Sequence, residues 1–298
     1  MTKNLSLPLM GALFMCLAMM LFGSGNAIVK NATQNQIPIC EIIAIRSLFG
    51  VVFLLFFMGC QRKFHLLKTH NFPLQLLRGV LGFVALFCLF ASFDLLPLAD
   101  ATAFTFAIVL FVGLLSFPLL KEKVGMHRTI AILVGFVGVM VIAQPTGNVT
   151  LYGSFVALVS AALESLVMLY GKKLSREDAV VTCVFYHTLI CFLIGAVASF
   201  FYWTPIDWPQ VLFFAALAFF GIAGQSCIVK AYTLAPAPVV APFLYTLMIW
   251  GVLFGYLFWG EMPSTNLYIG APIIILSGLY IIHRENKKPP SHVQELID

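Results

Sequence analysis

Charge is what this chain has least of. Asp, Glu, Lys and Arg make up 10% of its 298 residues, against about 25% in an ordinary soluble domain. So few charges cannot solvate a surface in water. With 61% hydrophobic residues and a mean hydropathy of +1.00, the solvent must be lipid. Other absences narrow the class. The apolar runs lack period-2 alternation, which excludes a membrane β-barrel. No long polar segment separates them, so no soluble or signalling domain fits between. A GxxxxGK[ST] loop is missing, so uphill work would draw on a gradient or a partner. HExxH and paired Asp clusters are missing too, and an enzyme acting on lipid-linked groups would need such a constellation. The seven cysteines lie in or at the edge of apolar runs, without CxxC or metal-ligand spacing. They read as packing residues, and no metal or cofactor is expected. In a chain of this kind the net charge of +5 is not a nucleic-acid signal. It reports which side of the membrane the cations occupy.

What is present is a series of runs near the ~20 residues that a spanning helix needs. They fall at about 8–30, 38–59, 73–94, 98–120, 127–143, 150–171, 179–202, 209–232, 236–259 and 266–283. The expectation is an all-α integral membrane protein of ten transmembrane helices. The first run ends on Lys30 without a convincing cleavage site, so it reads as the first span and not as a signal peptide. With an inside N-terminus, the inside gaps hold Arg62, Lys63, Lys68, Lys121, Lys123, Arg128, Lys172, Lys173, Arg176 and Lys230. The outside gaps hold Lys30 alone. Both termini are therefore expected to be cytoplasmic. Arg78, near the inner end of the third span, is expected to snorkel inward.

The chain also matches itself. FDLLPLADATAFTF (93–106) aligns without a gap on YTLAPAPVVAPFLY (232–245), at an offset of 139. The same offset brings Gly82 onto Gly221 and Glu122 onto Glu261. Earlier, GALFMCLAMMLFGSGNAIVK and GSFVALVSAALESLVMLYGK share length, opening Gly and closing Lys. Two five-helix units follow: a first repeat over 1–147, a second over 148–284, then a cytoplasmic tail over 285–298. Five is odd, so the second unit enters from the other side. That inverted repeat is the architecture of alternating access about a midplane site. Glu122 and Glu261 then read as boundary charges on opposite faces.

Several stretches resemble the drug/metabolite transporter superfamily, EamA type. CEIIAIRSLFGVVFLLFF resembles its second helix, and LRGVLGFVALFCLFASFDLLPLADATAF its third-to-fourth hairpin. KEKVGMHRTIAILVGFVGVMVI resembles the close of the first repeat. VVAPFLYTLMIWGVLFGYLFWGEMP with GAPIIILSGLYIIHRE resembles the close of the second. The resemblance covers Gly11 to about Arg284. Many members carry a proline midway along the fourth helix, where this chain has Val109; the equivalent position is Met248. Kinks at those two points are therefore in question. The resemblance implies a secondary carrier of small organic solutes in a bacterial inner membrane. LRGVLGF, FAIVLF and VFYH are similar to one branch, the S-adenosylmethionine uptake carriers. Other branches carry riboflavin or export amino acids, and these stay as alternatives, with a membrane enzyme behind them. A homodimer is left open; Gly221 and Gly224 do not make a clear small-residue face.

Ionisable groups inside a bilayer cost about 2.5–3.5 kcal/mol on insertion scales, so each is a candidate site residue. Glu164, His187, Gln225 and Tyr245 fall about 10–12 Å from the inner side at 1.5 Å per residue. They form a candidate inner cavity, with Glu164 as charge partner of a cationic solute or as proton carrier. The plainer reading keeps Glu164 as a hydrogen-bonded structural acid. Arg46 lies about 12 Å from the outer side. Glu41, five residues away, is about 140° round the helix, so the two do not pair. Arg46 either binds a substrate carboxylate or braces two helices. Asn26 and Trp250 lie toward the same outer half. Trp250 would stack on a flat or cationic solute, or simply pack. Pro242 inside the ninth run suggests a bent, cavity-lining entry.

Overall fold

The computed structural model describes residues 7–62, 64–120, 126–144, 149–175, 177–200, 204–205, 207–234 and 240–285. Among them there is no β-strand. The helices are α1 (Leu7–Gln34), α2 (Ile39–Cys60), α3 (Phe72–Leu95), α4 (Leu98–Thr105), α5 (Ala107–Leu120) and α6 (Met126–Ile142). They continue as α7 (Leu151–Leu174), α8 (Val180–Ser199), α9 (Trp208–Leu234), α10 (Thr246–Trp259) and α11 (Thr265–Glu285). Among the described residues, seven helices are long and apolar enough to cross a membrane, and three apolar helices are shorter. α4 and α5 run on as the fourth span, and a 3-10 turn at Ala241–Tyr245 leads into α10. The bundle wears its apolar residues outside. Leu133, Val137 and Met140 on α6 and Phe56 on α2 are more than half exposed, the pattern of a surface solvated by acyl chains.

Local chemistry explains the ends. Asn71 accepts from the Leu74 amide and Thr150 from the Gly153 amide, capping α3 and α7. α10 stops because Gly260 takes a left-handed φ of 64°, a conformation glycine adopts without cost. The Gly260 amide then reaches the Tyr256 carbonyl, the bond of an αL helix end, and the Glu261 amide reaches that of Gly255. This turns Glu261 back over the bundle. α1 runs four residues past Lys30, so that lysine sits inside a helix and not at its end.

The fourth span breaks at Phe106, although no proline is near. Thr102 donates its hydroxyl to the Leu98 carbonyl at 2.6 Å and Thr105 to that of Thr102 at 2.6 Å. Such back-bonding competes with the helix ladder and bends it. In the ninth span Pro242 lies in the 3-10 turn, and α-helix begins only at Thr246. The irregular entry expected from Pro242 is present. Both irregularities lie just before Val109 and Met248, not at them. Pro236 and Pro238 fall outside the described residues. The two break residues, Phe106 and Tyr245, meet edge to face with ring centroids 4.9 Å apart. They are aligned partners at the offset of 139.

Packing follows the same correspondence. α1 lies against α9, and α7 against α3; α2 pairs with α8, and α6 with α11. Ser277 donates to the Ala131 carbonyl at 2.6 Å, while Gly138 lies against the Gly270 carbonyl. These are one contact written twice at that offset. Each end also carries an acid clamp. At the Lys30 end, Glu41 accepts from the Thr204 amide at 3.1 Å and from its hydroxyl at 2.9 Å. At the opposite end, Asp178 accepts from the Thr69 hydroxyl and the His70 amide, the latter at 2.8 Å. It also accepts from Gln75 at 2.9 Å. Burial alone would raise the Asp178 pKa. The hydrogen bonds from Thr69, the His70 backbone, Gln75 and the His70 ring outweigh it and hold the pKa down at about 2.

Candidate functional site

One group of ionisable residues inside the bundle gathers between α2, α3, α7 and α8. Glu164 of α7 is within electrostatic reach of Arg78 on α3 and Arg46 on α2. His187 of α8 feels the same two arginines. Their depths explain the meeting. Arg46 lies about 12 Å from one face and Glu164 about 10 Å from the other, so in a core ~30 Å thick their axial separation is only about 8 Å.

The members are held differently. Arg78 donates from Nε to the Val167 carbonyl at 3.1 Å and from Nη1 to the Cys183 carbonyl at 2.8 Å. It therefore braces α3 against α7 and α8 and does not snorkel to the interface as its sequence position suggested. Arg46 sits over the Phe90 ring, 5.9 Å from the centroid. Glu41 is committed to Thr204 and does not pair with Arg46, as the 140° separation anticipated. Glu164 and Arg46 are half-buried, and among the described residues neither makes a hydrogen bond. An acid and a guanidinium left without hydrogen-bond partners inside a membrane bundle need water or a ligand. His187 is pressed against Gly82: a Cβ there would lie 2.1 Å from its Cε1. Its Nδ1 is buried without a partner, and its Nε2 stands 4.0 Å from the Cys191 sulfur.

Other candidates lie elsewhere. Gln225 is exposed on α9 and does not join the cluster; the preceding residue, Gly224, is the one turned toward α1. Tyr245 packs on Phe106 and points its hydroxyl at Gly278 of α11. Trp250 packs on Gly23 of α1 and on Phe254, whose ring centroid is 5.6 Å away. Asn26 is half-buried on α1, one turn below Lys30 on the same face. Among the described residues no group of three His, Cys, Asp or Glu could hold a metal ion.

A second constellation was not anticipated. Lys30, 1% exposed, forms an ion pair with Glu261, which is 24% exposed. Its amine also donates to the Leu96 carbonyl at 3.0 Å, and Glu261 accepts from the Leu98 amide at 2.9 Å. The Trp259 ring covers the amine at 5.5 Å. Beside it, Asp100 accepts from the hydroxyl and amide of Ser264. Glu261 is thus no free boundary charge. With Lys30 it ties α1, the α3–α4 link and α10 together at one end. Its aligned partner Glu122 lies outside the described residues. The sequence signal was a lysine and an acid at matching span ends, but nothing in it shows that they meet.

The profile of the EamA-like transporter family matches residues 9–144 and 151–283. A riboflavin transporter of Vibrio cholerae serotype O1 is 30% identical over 284 residues, covering 94% of this chain and 95% of that protein. An S-adenosylmethionine uptake transporter of Rickettsia bellii is 26% identical, covering 89% and 90%. A pseudopaline exporter of Pseudomonas aeruginosa is 28% identical, covering 90% and 94%. One solved crystal structure superposes with a TM-score of 0.61 at 19% identity, over 93% of this chain and 99% of that one; it shares the fold.

Proposed function

The chain belongs to the EamA-like transporter family, and on that premise we propose that it carries a small zwitterionic metabolite by alternating exposure of a central site. Family and relatives make it a multi-pass membrane transporter and not an enzyme. The solute class rests on one observation: Glu164 and Arg46, an acid and a guanidinium within electrostatic reach of each other, have no hydrogen-bond partner among the described residues. A neutral apolar solute would leave both without a hydrogen-bond partner. A solute bearing a carboxylate and a cation satisfies both, the carboxylate at Arg46 and the cation at Glu164. S-adenosylmethionine, with a carboxylate, an ammonium and a sulfonium, has that chemistry, and uptake of it is the reading we favour. Export of an amino-acid-like metabolite uses the same contacts in reverse. His187 borders the pair, with Asn26, Tyr245 and Trp250 toward the α1 and α10 side. Gln225 has no part in it.

The two halves, 1–147 and 148–284, act in this reading as inverted repeats, with both termini and the 285–298 tail in the cytoplasm of a bacterium. The Phe106–Tyr245 pair, the matched α6–α11 contacts and the acid clamps at both ends support that symmetry. The cation distribution supports the orientation. Transport is then a rocking of one half against the other around the charged pair.

The test is uptake of labelled S-adenosylmethionine into cells expressing the protein, beside cells expressing Glu164→Gln at equal abundance. Saturable uptake, competed by unlabelled compound and lost in the variant, is the expected result. No uptake by abundant, inserted protein would reject this solute.

A further inference from the structure

A crevice of about 530 Å³ opens between α9 and α10 and is floored by α1. One face of α1, carrying Ser24, Ala27, Ile28 and Asn31, forms its floor, with Asn35 just past the helix end. Phe213 and Phe214 line the α9 wall, and Phe254, Phe258 and Trp259 the α10 wall. Phe213 and Phe258 are more than half exposed, so the crevice is open along its side. From Ser24 to Asn35 the floor runs about 16 Å at 1.5 Å per residue, close to half of a ~30 Å hydrocarbon core. It therefore has the depth of one leaflet.

Its polarity is graded along that depth. The deep end is aromatic and aliphatic, and the Ser24 hydroxyl is already given to the Met20 carbonyl at 2.9 Å. Amides appear only at the shallow end, where Asn31, Asn35 and Gln210 stand. An apolar slot one leaflet deep with hydrogen-bonding groups at its mouth matches a phospholipid: tail inside, headgroup at the amides. A water-soluble metabolite would find no polar partner in the deep part.

We propose that this crevice is a seat for one phospholipid tail from the leaflet at the Lys30–Glu261 end. Trp259 is the wall shared with the neighbouring constellation: one side lines the crevice, and the ring covers the Lys30 amine at 5.5 Å. A seated tail presses Trp259 onto the ion pair and favours closure of that end. The seat rests on the membrane placement of the chain and is independent of which solute is carried.

The test uses the full chain in vesicles of phosphatidylethanolamine and phosphatidylglycerol. A trace of phosphatidylethanolamine carries a photoactivatable diazirine near the end of one tail. After illumination and digestion, label on the crevice segments of α1 and α9 is compared with label on the exposed face of α6 at Leu133, Val137 and Met140. The expected result is severalfold more label in the crevice. Ser24→Phe, which fills the deep end, should lower it to the α6 level and leave α6 unchanged. Ile28→Phe fills the same space from the next turn and serves if the first variant does not insert. Equal labelling of crevice and α6 in the native protein means annular contact only and overturns the seat. So does crevice label that survives filling in an inserted variant. Cross-links from α1 to a second protein chain would put a protein there instead, and also overturn it.

Discussion

Replacing Lys30 by methionine should open one end of the bundle. The substitution keeps an unbranched side chain, one atom shorter, and removes its charge. The Leu96 carbonyl and Glu261 then lose the amine, which stands 3.0 Å from that carbonyl. Breaking one partner of a buried ion pair costs about 3–5 kcal/mol. Glu261 is 24% exposed and keeps the Leu98 amide at 2.9 Å, which places the cost near the lower bound, about 3 kcal/mol. At about 1.4 kcal/mol per factor of ten, that is roughly a hundredfold shift toward an open end. The assay follows a cysteine at position 26, one turn below Lys30, in a chain freed of its seven native cysteines. A membrane-impermeant thiol reagent should label Asn26→Cys slowly with Lys30 present and faster by about that factor with methionine. The double variant Lys30→Met, Glu261→Met should return toward slow labelling, because replacing a whole buried pair by apolar groups is often neutral. Unchanged labelling in an inserted single variant would refute the reasoning, as would a double variant as open as the single one.

Four further outcomes are expected. Glu164→Gln should abolish concentrative uptake; if an inserted variant accumulates solute normally, Glu164 neither binds the cation nor carries a proton. Arg46→Gln should raise KM for a carboxylate-bearing solute more than it lowers maximal rate, and an unchanged KM would remove Arg46 from the site. Gly82→Ala forces a methyl to within 2.1 Å of the His187 ring. Overpacking of this kind costs about 1–3 kcal/mol, read as a lower thermal midpoint in detergent. Asp178 has its pKa held at about 2, below the ordinary 3.8. Its clamp is therefore worth about 2 kcal/mol above pH ~4 and is lost as pH falls toward 2. Thermal midpoints of the protein and of Asp178→Asn should differ at neutral pH and converge on acidification.

Much of the fold was legible because hydropathy is a local property. Each span shows as a run, whatever it packs against. Boundaries slipped where a charge was taken for an end: α1 continues past Lys30 because that amine is paired inside the protein and needs no water. The break in the fourth span was hidden for another reason. It comes from two threonine hydroxyls bonding backward, and threonine occurs as readily in straight helices. Pro242 announced its irregular turn because proline lacks the donor a helix needs.

The site was legible only as a set of separate candidates. Glu164, His187 and Arg46 stood out because lipid makes any buried ionisable group conspicuous. Sequence depth assigned them to opposite halves of the membrane, yet they meet because both lie near the middle. Gln225 was equally conspicuous and turned outward, since the side a helix shows its neighbours depends on its rotation in the bundle. By itself the sequence determined the solvent, the number of runs and which residues were expensive to bury, all of which are read along the chain. Only the tertiary structure decided which of those residues compensate one another. Lys30 and Glu261 are 231 residues apart, and contact between them is set by helix packing, which no local pattern encodes.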